Sequence, residues 1–481
     1  MKSRRFFFIV VLVVLVAAAF AIGNGSGATT ARVDVPAAGT NAAVLASSNT
    51  VWFCPGVPAK AYPSAAGRVT LSNIGPTAAE VEVTNLADNG KPTHAQLTVP
   101  ARSVVTRSRD AFGAPGALTI ETFGGRVVVE EGISAANAFE STPCATRTSA
   151  HWYFAAGSTP RGVQQWLVIA NPYASDAKVD VTMRTSSGVR KPDDLQSMDV
   201  ARRSRTIIAV HDYAVRQDRV AVEVDAELGS VVASQISVFT SDAGSPGVAQ
   251  TLGSPAPASE WSLPGGLTRS GASTYLAIAN VGDDTAQVDV QPTDEHRKAT
   301  LSPLILTVAQ DAVVWVQLGQ CSGAAAKSCI RIPDGTHYLL DVRSEQNISI
   351  VAQTFSRFDV ASGGFATTTA MGAITPARAY AFGRSEPSGT VSTTISVFNP
   401  GSIAASIDLS TTSTGTVDRP SDLQHLVLAP GRQMTLTVPR DRKKHAAVDA
   451  AVTLTSSQPV FVERSIVVED EASSSAGVAA G

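Results

Sequence analysis

Charge is scarce in this sequence. Asp, Glu, Lys and Arg make up only 16% of its 481 residues, and 41 acids against 38 bases leave a formal net charge of -3. With no global basic field, nucleic acid is not an expected partner. Long runs of Glu, Lys and Leu are missing too, while Val, Thr, Ala, Gly and Pro abound, a balance that favours strands and turns and predicts an all-β protein. No G-x-S-x-G elbow, H-E-x-x-H helix, Walker loop or EF-hand loop occurs. No catalytic, cofactor-binding or metal-binding residue is therefore assigned. His94, His151, His211, His296, His337, His425 and His445 stand singly; His211 alone has an acid beside it, Asp212, and neighbours on a strand point to opposite faces. Asp283-Asp284, Glu130-Glu131 and Asp193-Asp194 are adjacent acids without a visible partner, and calcium would need about six to eight oxygens from several loops.

Cysteine is far rarer, with Cys54, Cys144, Cys321 and Cys329 forming an even set. The first residues suggest an oxidising compartment. Lys2, Arg4 and Arg5 precede an apolar run from Phe6 to Ile22, the order of an export signal held positive side in. Its length lies between a signal core and a membrane span. Ala19-Phe20-Ala21 offers a cleavage site, yet residues 23–48 would equally serve as a flexible tether from an uncleaved anchor. The chain is thus expected outside the cytoplasm, anchored or released, touching the membrane through this segment alone. Disulfides follow, with Cys54 paired to Cys144 and Cys321 to Cys329 as the favoured arrangement. The longer closure would stabilise by about 4 kcal/mol.

What is plentiful is repetition. Asn73, Asn171, Asn280 and Asn399 are each followed within two residues by Pro or Gly, which is turn chemistry, with Asn tolerating left-handed backbone. Val69, Leu167, Leu276 and Ile395 lie four residues before the Asn. Val81, Val179, Val288 and Ile407 lie eight after it, flanked by polar residues such as Glu80 and Glu82. Such alternation on both sides of a turn means paired strands with one wet and one packed face. An aromatic opens each unit at Trp52, Trp152, Trp261 or Tyr380. A late strand follows at Val127-Val128-Val129-Glu130, Val231-Val232-Ala233-Ser234, Ile350-Val351-Ala352-Gln353 and Val460-Phe461-Val462-Glu463.

Six or seven short strands per unit suit four tandem immunoglobulin-like β-sandwiches. They span 49–147, 148–252, 253–374 and 375–470, behind a signal or anchor at 1–22 and ahead of a disordered tail at 471–481. The segments 244–259 and 363–378, rich in Gly, Pro, Ala, Ser and Thr, read as boundaries. Short connections would make a rod; a propeller-like radial arrangement is the alternative. With its Trp52-Phe53-Cys54-Pro55 start and closing Val460 to Arg464 strand, the chain resembles a family of actinobacterial secreted or membrane-anchored proteins known only as a domain of unknown function. The resemblance implies a cell-envelope location and supplies no catalytic residues.

Two basic clusters are candidate contacts for an anionic polymer or lipid: Arg202, Arg203 and Arg205 in the second repeat, and Arg440, Arg442, Lys443 and Lys444 with His445 in the fourth. Trp52, Trp152 and Trp261 recur in register and are expected in the cores; Trp166 and Trp315 do not recur and are expected as exposed ring platforms. The expected function is a non-enzymatic envelope scaffold that binds an envelope polymer or protein. The alternative is an accessory factor or cryptic hydrolase of envelope glycan biogenesis with a site between repeats.

Overall fold

The alternating pattern around Asn73 becomes paired antiparallel strands in the computed structural model. It describes residues 49–479 apart from 59–65, 136–137, 245, 322–327, 360–364, 385–390, 414, 439–449, 469–470 and 477. The signal or anchor segment 1–22, the tether 23–48 and the cluster Arg440, Arg442, Lys443 and Lys444 lie outside the described residues. Among the described residues no helix is long and apolar enough to cross a membrane.

The first repeat has eight strands: β1 (Asn49–Cys54), β2 (Ala66–Asn73), β3 (Ala79–Ala87), β4 (Thr93–Val99), β5 (Ser103–Ser108), β6 (Gly116–Phe123), β7 (Val127–Ala135) and β8 (Ala138–Pro143). They form two antiparallel sheets, β1-β6-β3-β4 and β5-β2-β7-β8. Ala79, Val81 and Val83 of β3 point inward while Glu80 and Glu82 face water, so the core of Trp52, Leu71, Val81 and Ile120 forms between the sheets. The other repeats restate this plan, each around its own core. The third adds a parallel strand, Cys329–Arg331, beside Val313–Gly319. In the fourth, one long strand, Ala451–Val468, serves both sheets.

The opening aromatics are buried in all four cores. Trp152 Nε1 donates to the Val231 carbonyl at 2.8 Å, Trp261 Nε1 to that of Ile350 at 3.0 Å and Tyr380 Oη to that of Val460 at 2.6 Å. These acceptors occupy one repeat position, so Tyr replaces Trp by reaching the same oxygen. Trp166 and Trp315 are half-buried rather than open platforms. Trp166 meets the His211 ring edge-on at 5.0 Å, and Trp315 lies against Tyr275 and Phe355.

The repeated Asn has a role other than the left-handed turn expected of it. Its side chain is a staple: Asn171 Nδ2 donates to the carbonyls of Ser175 at 2.8 Å and Val200 at 3.0 Å, and Oδ1 accepts from Tyr173 N–H at 3.0 Å. Asn73, Asn280 and Asn399 make the same set, and all four are buried. The left-handed residues sit at the corner this staple reaches, with φ of +51° at Arg102, +49° at Arg203, +57° at Asp311 and +62° at Gly431. Asn171→Ala, which strands buried carbonyls, is expected to destabilise by about 2 kcal/mol, read as a lowered urea midpoint at unchanged m-value.

The repeats do not make a rod. The innermost strands Ala138–Pro143, Gly247–Leu252, Phe365–Met371 and Glu471–Ala476 pack side by side in cyclic order, so the fourth repeat closes on the first. The radial alternative describes the arrangement. Two expectations change with it. The segments 244–259 and 363–378, read as boundaries, contain axial strands, and the expected tail at 471–481 supplies the fourth, paired to Ala451–Val468. A crowded axis favours small and hydroxyl side chains, as in the buried run Ala366-Thr367-Thr368-Thr369-Ala370, and such composition resembles a linker when read without its partners.

Candidate functional site

Charged and polar groups concentrate where one repeat meets the next. In three of the four repeats, the residue ending the late-strand motif reaches back to the chain just beyond the preceding repeat's opening aromatic. Gln353 Oε1 accepts from the N–H groups of Ala155 and Ala156, both at 3.0 Å; Glu463 Oε2 accepts from Gly265 N–H at 3.1 Å; and Glu130 Oε1 accepts from Gly383 N–H at 2.7 Å. Glycine is required at Gly265 and Gly383, because a Cβ there would collide with the carboxylate side chain. The second repeat has Ser234 at this position, and the facing chain presents Pro55, which has no N–H to give. Arg205 fills that junction from another strand, donating to the Pro55 carbonyl at 2.8 Å and pairing with Asp88 at 2.7 Å.

Arg205 therefore lies inside the molecule, its side chain 1% exposed, and is separated from Arg202 and Arg203, which are exposed. The expected basic face of the second repeat reduces to the latter two, and Arg203 is the left-handed corner residue.

The junction closing the ring holds a fully buried ion pair. Arg464 Nη2 lies 2.9 Å from Glu130 Oε2, both side chains at most 2% exposed. Arg464 also donates to the Gly383 carbonyl at 2.8 Å and lies over the Phe382 ring, while Ser141 Oγ donates to Glu130 at 2.8 Å. Beside it, Arg109 pairs with Glu131 at 2.6 Å, and Gln250 of the second repeat donates to the same carboxylate. Burial pulls the Arg109 guanidinium down from its ordinary value, and Glu131 opposes that shift. Arg184 spans the second and third repeats, pairing with Glu223 at 2.7 Å and Asp311 at 2.9 Å. Among the described residues the one grouping of three possible metal ligands is Cys54, Glu131 and Cys144. Its two sulfurs are bonded to each other, so it is no metal site. Cys321 is bonded to Cys329. Both disulfides fit an oxidising, extracytoplasmic compartment.

A cavity of about 110 Å³ opens between the third and fourth repeats. Arg269, His337, Tyr338, Phe358 and Glu463 line it with several Ser and Thr residues. Burial raises the Glu463 carboxyl to about 7, with the Gly265 N–H pulling the other way. A carboxyl raised in the folded state stabilises fully below its ordinary value of 4.5, and that contribution is lost as pH rises toward 7. The loss amounts to about 3 kcal/mol. Glu463→Gln keeps an acceptor for Gly265, as Gln353 does one repeat earlier, and removes the charge. The variant is expected to lose this slope and to unfold at higher urea than the parent at pH 8, though not at pH 4.

The sequence shows these junction residues only faintly: Glu130, Gln353 and Glu463 are polar residues directly after an apolar triplet, at one repeat position. Their partners are backbone groups of another repeat, which no local pattern marks.

No curated protein matches the chain. Similarity to solved structures is slight. Escherichia coli alpha-2-macroglobulin activated by porcine elastase shares 9% identity at a TM-score of 0.13, over 90% of this chain and 44% of that one. The tetra-tandem repeat in the extending region of a large adhesion protein shares 12% at 0.12, over 90% of this chain and 100% of that one. Streptomyces avermitilis alpha-L-rhamnosidase complexed with L-rhamnose shares 9% at 0.12, over 84% and 55%. The chain thus spans under half the length of the first, and scores this low equate no folds. The sequence profile of a family of unknown function, DUF5719, matches residues 126–415, from the late strand of the first repeat into the fourth, and the chain belongs to that family.

Proposed function

We propose that this protein is a non-enzymatic, extracytoplasmic scaffold of the cell envelope, a rigid ring of four sandwiches that holds a binding surface for an envelope polymer or protein. One observation carries the reading: at three of the four junctions, buried charged groups are engaged in holding repeats together. Glu130, Glu131, Arg205 and Arg464 each bond a neighbouring repeat or a group that does. Junctions held in this way give a platform with little internal freedom, which lowers the entropy cost of binding a large partner. The apolar run Phe6–Ile22 would deliver the ring across the membrane and, if retained, tether it there. The resemblance to actinobacterial envelope proteins points the same way.

The test is retention of the full-length protein on purified cell-wall fractions and on envelope proteins. Retention that survives washing and competes with soluble wall fragments is expected. A protein that passes through every fraction unretained would remove the scaffold reading, and turnover of a wall glycan by the purified chain would replace it with the hydrolytic one.

A further inference from the structure

We propose that the cavity between the third and fourth repeats binds one anionic sugar residue, a hydroxyl-bearing ring that carries a carboxylate or a phosphate. The inference rests on the binding role above and assigns it a ligand class. Size comes first. One water needs roughly 10–15 Å³ of such space, so about 110 Å³ holds on the order of eight waters, enough for a single sugar ring and too little for a chain of them.

Charge comes second. The Arg269 guanidinium lies 5.8 Å above the Phe358 ring centre and has no carboxylate partner among the described residues. Burial alone draws its proton affinity down, and no acid offsets the effect. Arg269 is an exposed residue, so its planar fork is open to an incoming group, and a guanidinium held against a ring suits a carboxylate or phosphate. His337 beside it is held below its usual range, chiefly by burial, and brings no competing negative charge. Glu463, whose carboxyl burial raises to about 7, is neutral below that pH and adds no negative charge there.

The hydroxyls come third. Thr368 lines the cavity at 8% exposure, and its Oγ1 is buried without a hydrogen-bond partner. That atom has almost no surface open to a water-sized group, so the hydroxyls able to meet a ligand are those of the other lining residues. Ser356 of the third repeat and Thr394 of the fourth also line the cavity, and each hydroxyl can both donate and accept, as sugar hydroxyls require.

The test is titration calorimetry on the full chain with glucuronic acid, glucose 6-phosphate, glucose and inorganic phosphate. At least one of the two anionic sugars is expected to bind, tenfold or more tighter than glucose or phosphate; which one is preferred identifies the carboxylate or the phosphate as the group read. Arg269→Gln is expected to weaken that binding at least tenfold and Thr394→Val severalfold, both with unchanged melting temperature. Absence of binding, equal affinity for glucose, equal affinity for inorganic phosphate, or full affinity in Arg269→Gln would each overturn the assignment. Wall retention separates the two proposals. A chain retained on the wall that binds neither anionic sugar leaves the scaffold and removes this site; a chain that binds one and is not retained does the reverse.

Discussion

Arg464→Met is expected to lower the unfolding free energy by about 3–5 kcal/mol, the cost of stranding one member of a buried ion pair. The partner left behind is Glu130, 2% exposed, which keeps the bonds from Gly383 N–H and Ser141 but loses its countercharge. Adding Glu130→Gln removes the stranded charge while preserving an acceptor for Gly383, so the double variant should recover most of the loss. Urea unfolding of the four proteins, arranged as a double-mutant cycle, measures the coupling. A single variant within about 0.5 kcal/mol of the parent would show that ring closure does not depend on this pair.

Removing the Cys54–Cys144 bond should cost nearly as much. It joins residues 90 apart, against 8 for Cys321–Cys329. Loop-closure entropy then gives about 4.5 kcal/mol for the first bond and about 2.5 kcal/mol for the second. The long bond ties the end of β1 to the residue following β8, and so links the two sheets of the first repeat. Paired Cys→Ala substitutions, compared by urea unfolding under oxidising conditions, check the ranking. A larger loss from the short bond would contradict it.

The sandwiches were legible because their signal is local. Val81, Val83 and Ile120 alternate with polar neighbours, and that alternation alone determines which face is buried. The four aromatics were legible for the same reason, since a position filled in every copy serves every copy. The ring was harder to read. Its axial strands, such as FATTTAM, lack apolar alternation and have only Ala and Thr between their ends, because both flanks are occupied by other strands. Arg205 was read as a surface cation because Arg202 and Arg203 stand beside it; its partners, Asp88 and Pro55, lie more than a hundred residues earlier. The cavity is further still from any linear pattern. It draws Arg269, Thr368 and Glu463 from three separate strands or turns of two repeats, and only folding brings them together.

Because the strand at 471–476 is the neighbour of the one at 138–143, this architecture cannot be completed progressively from its beginning. A ribosome must deliver more than three hundred further residues before the first axial edge is covered, and throughout that interval the edge remains available to any other extended segment. Chains shortened before residue 471 should therefore exchange strands between copies and appear as dimers or larger species, while the intact protein, once closed, offers no such opening.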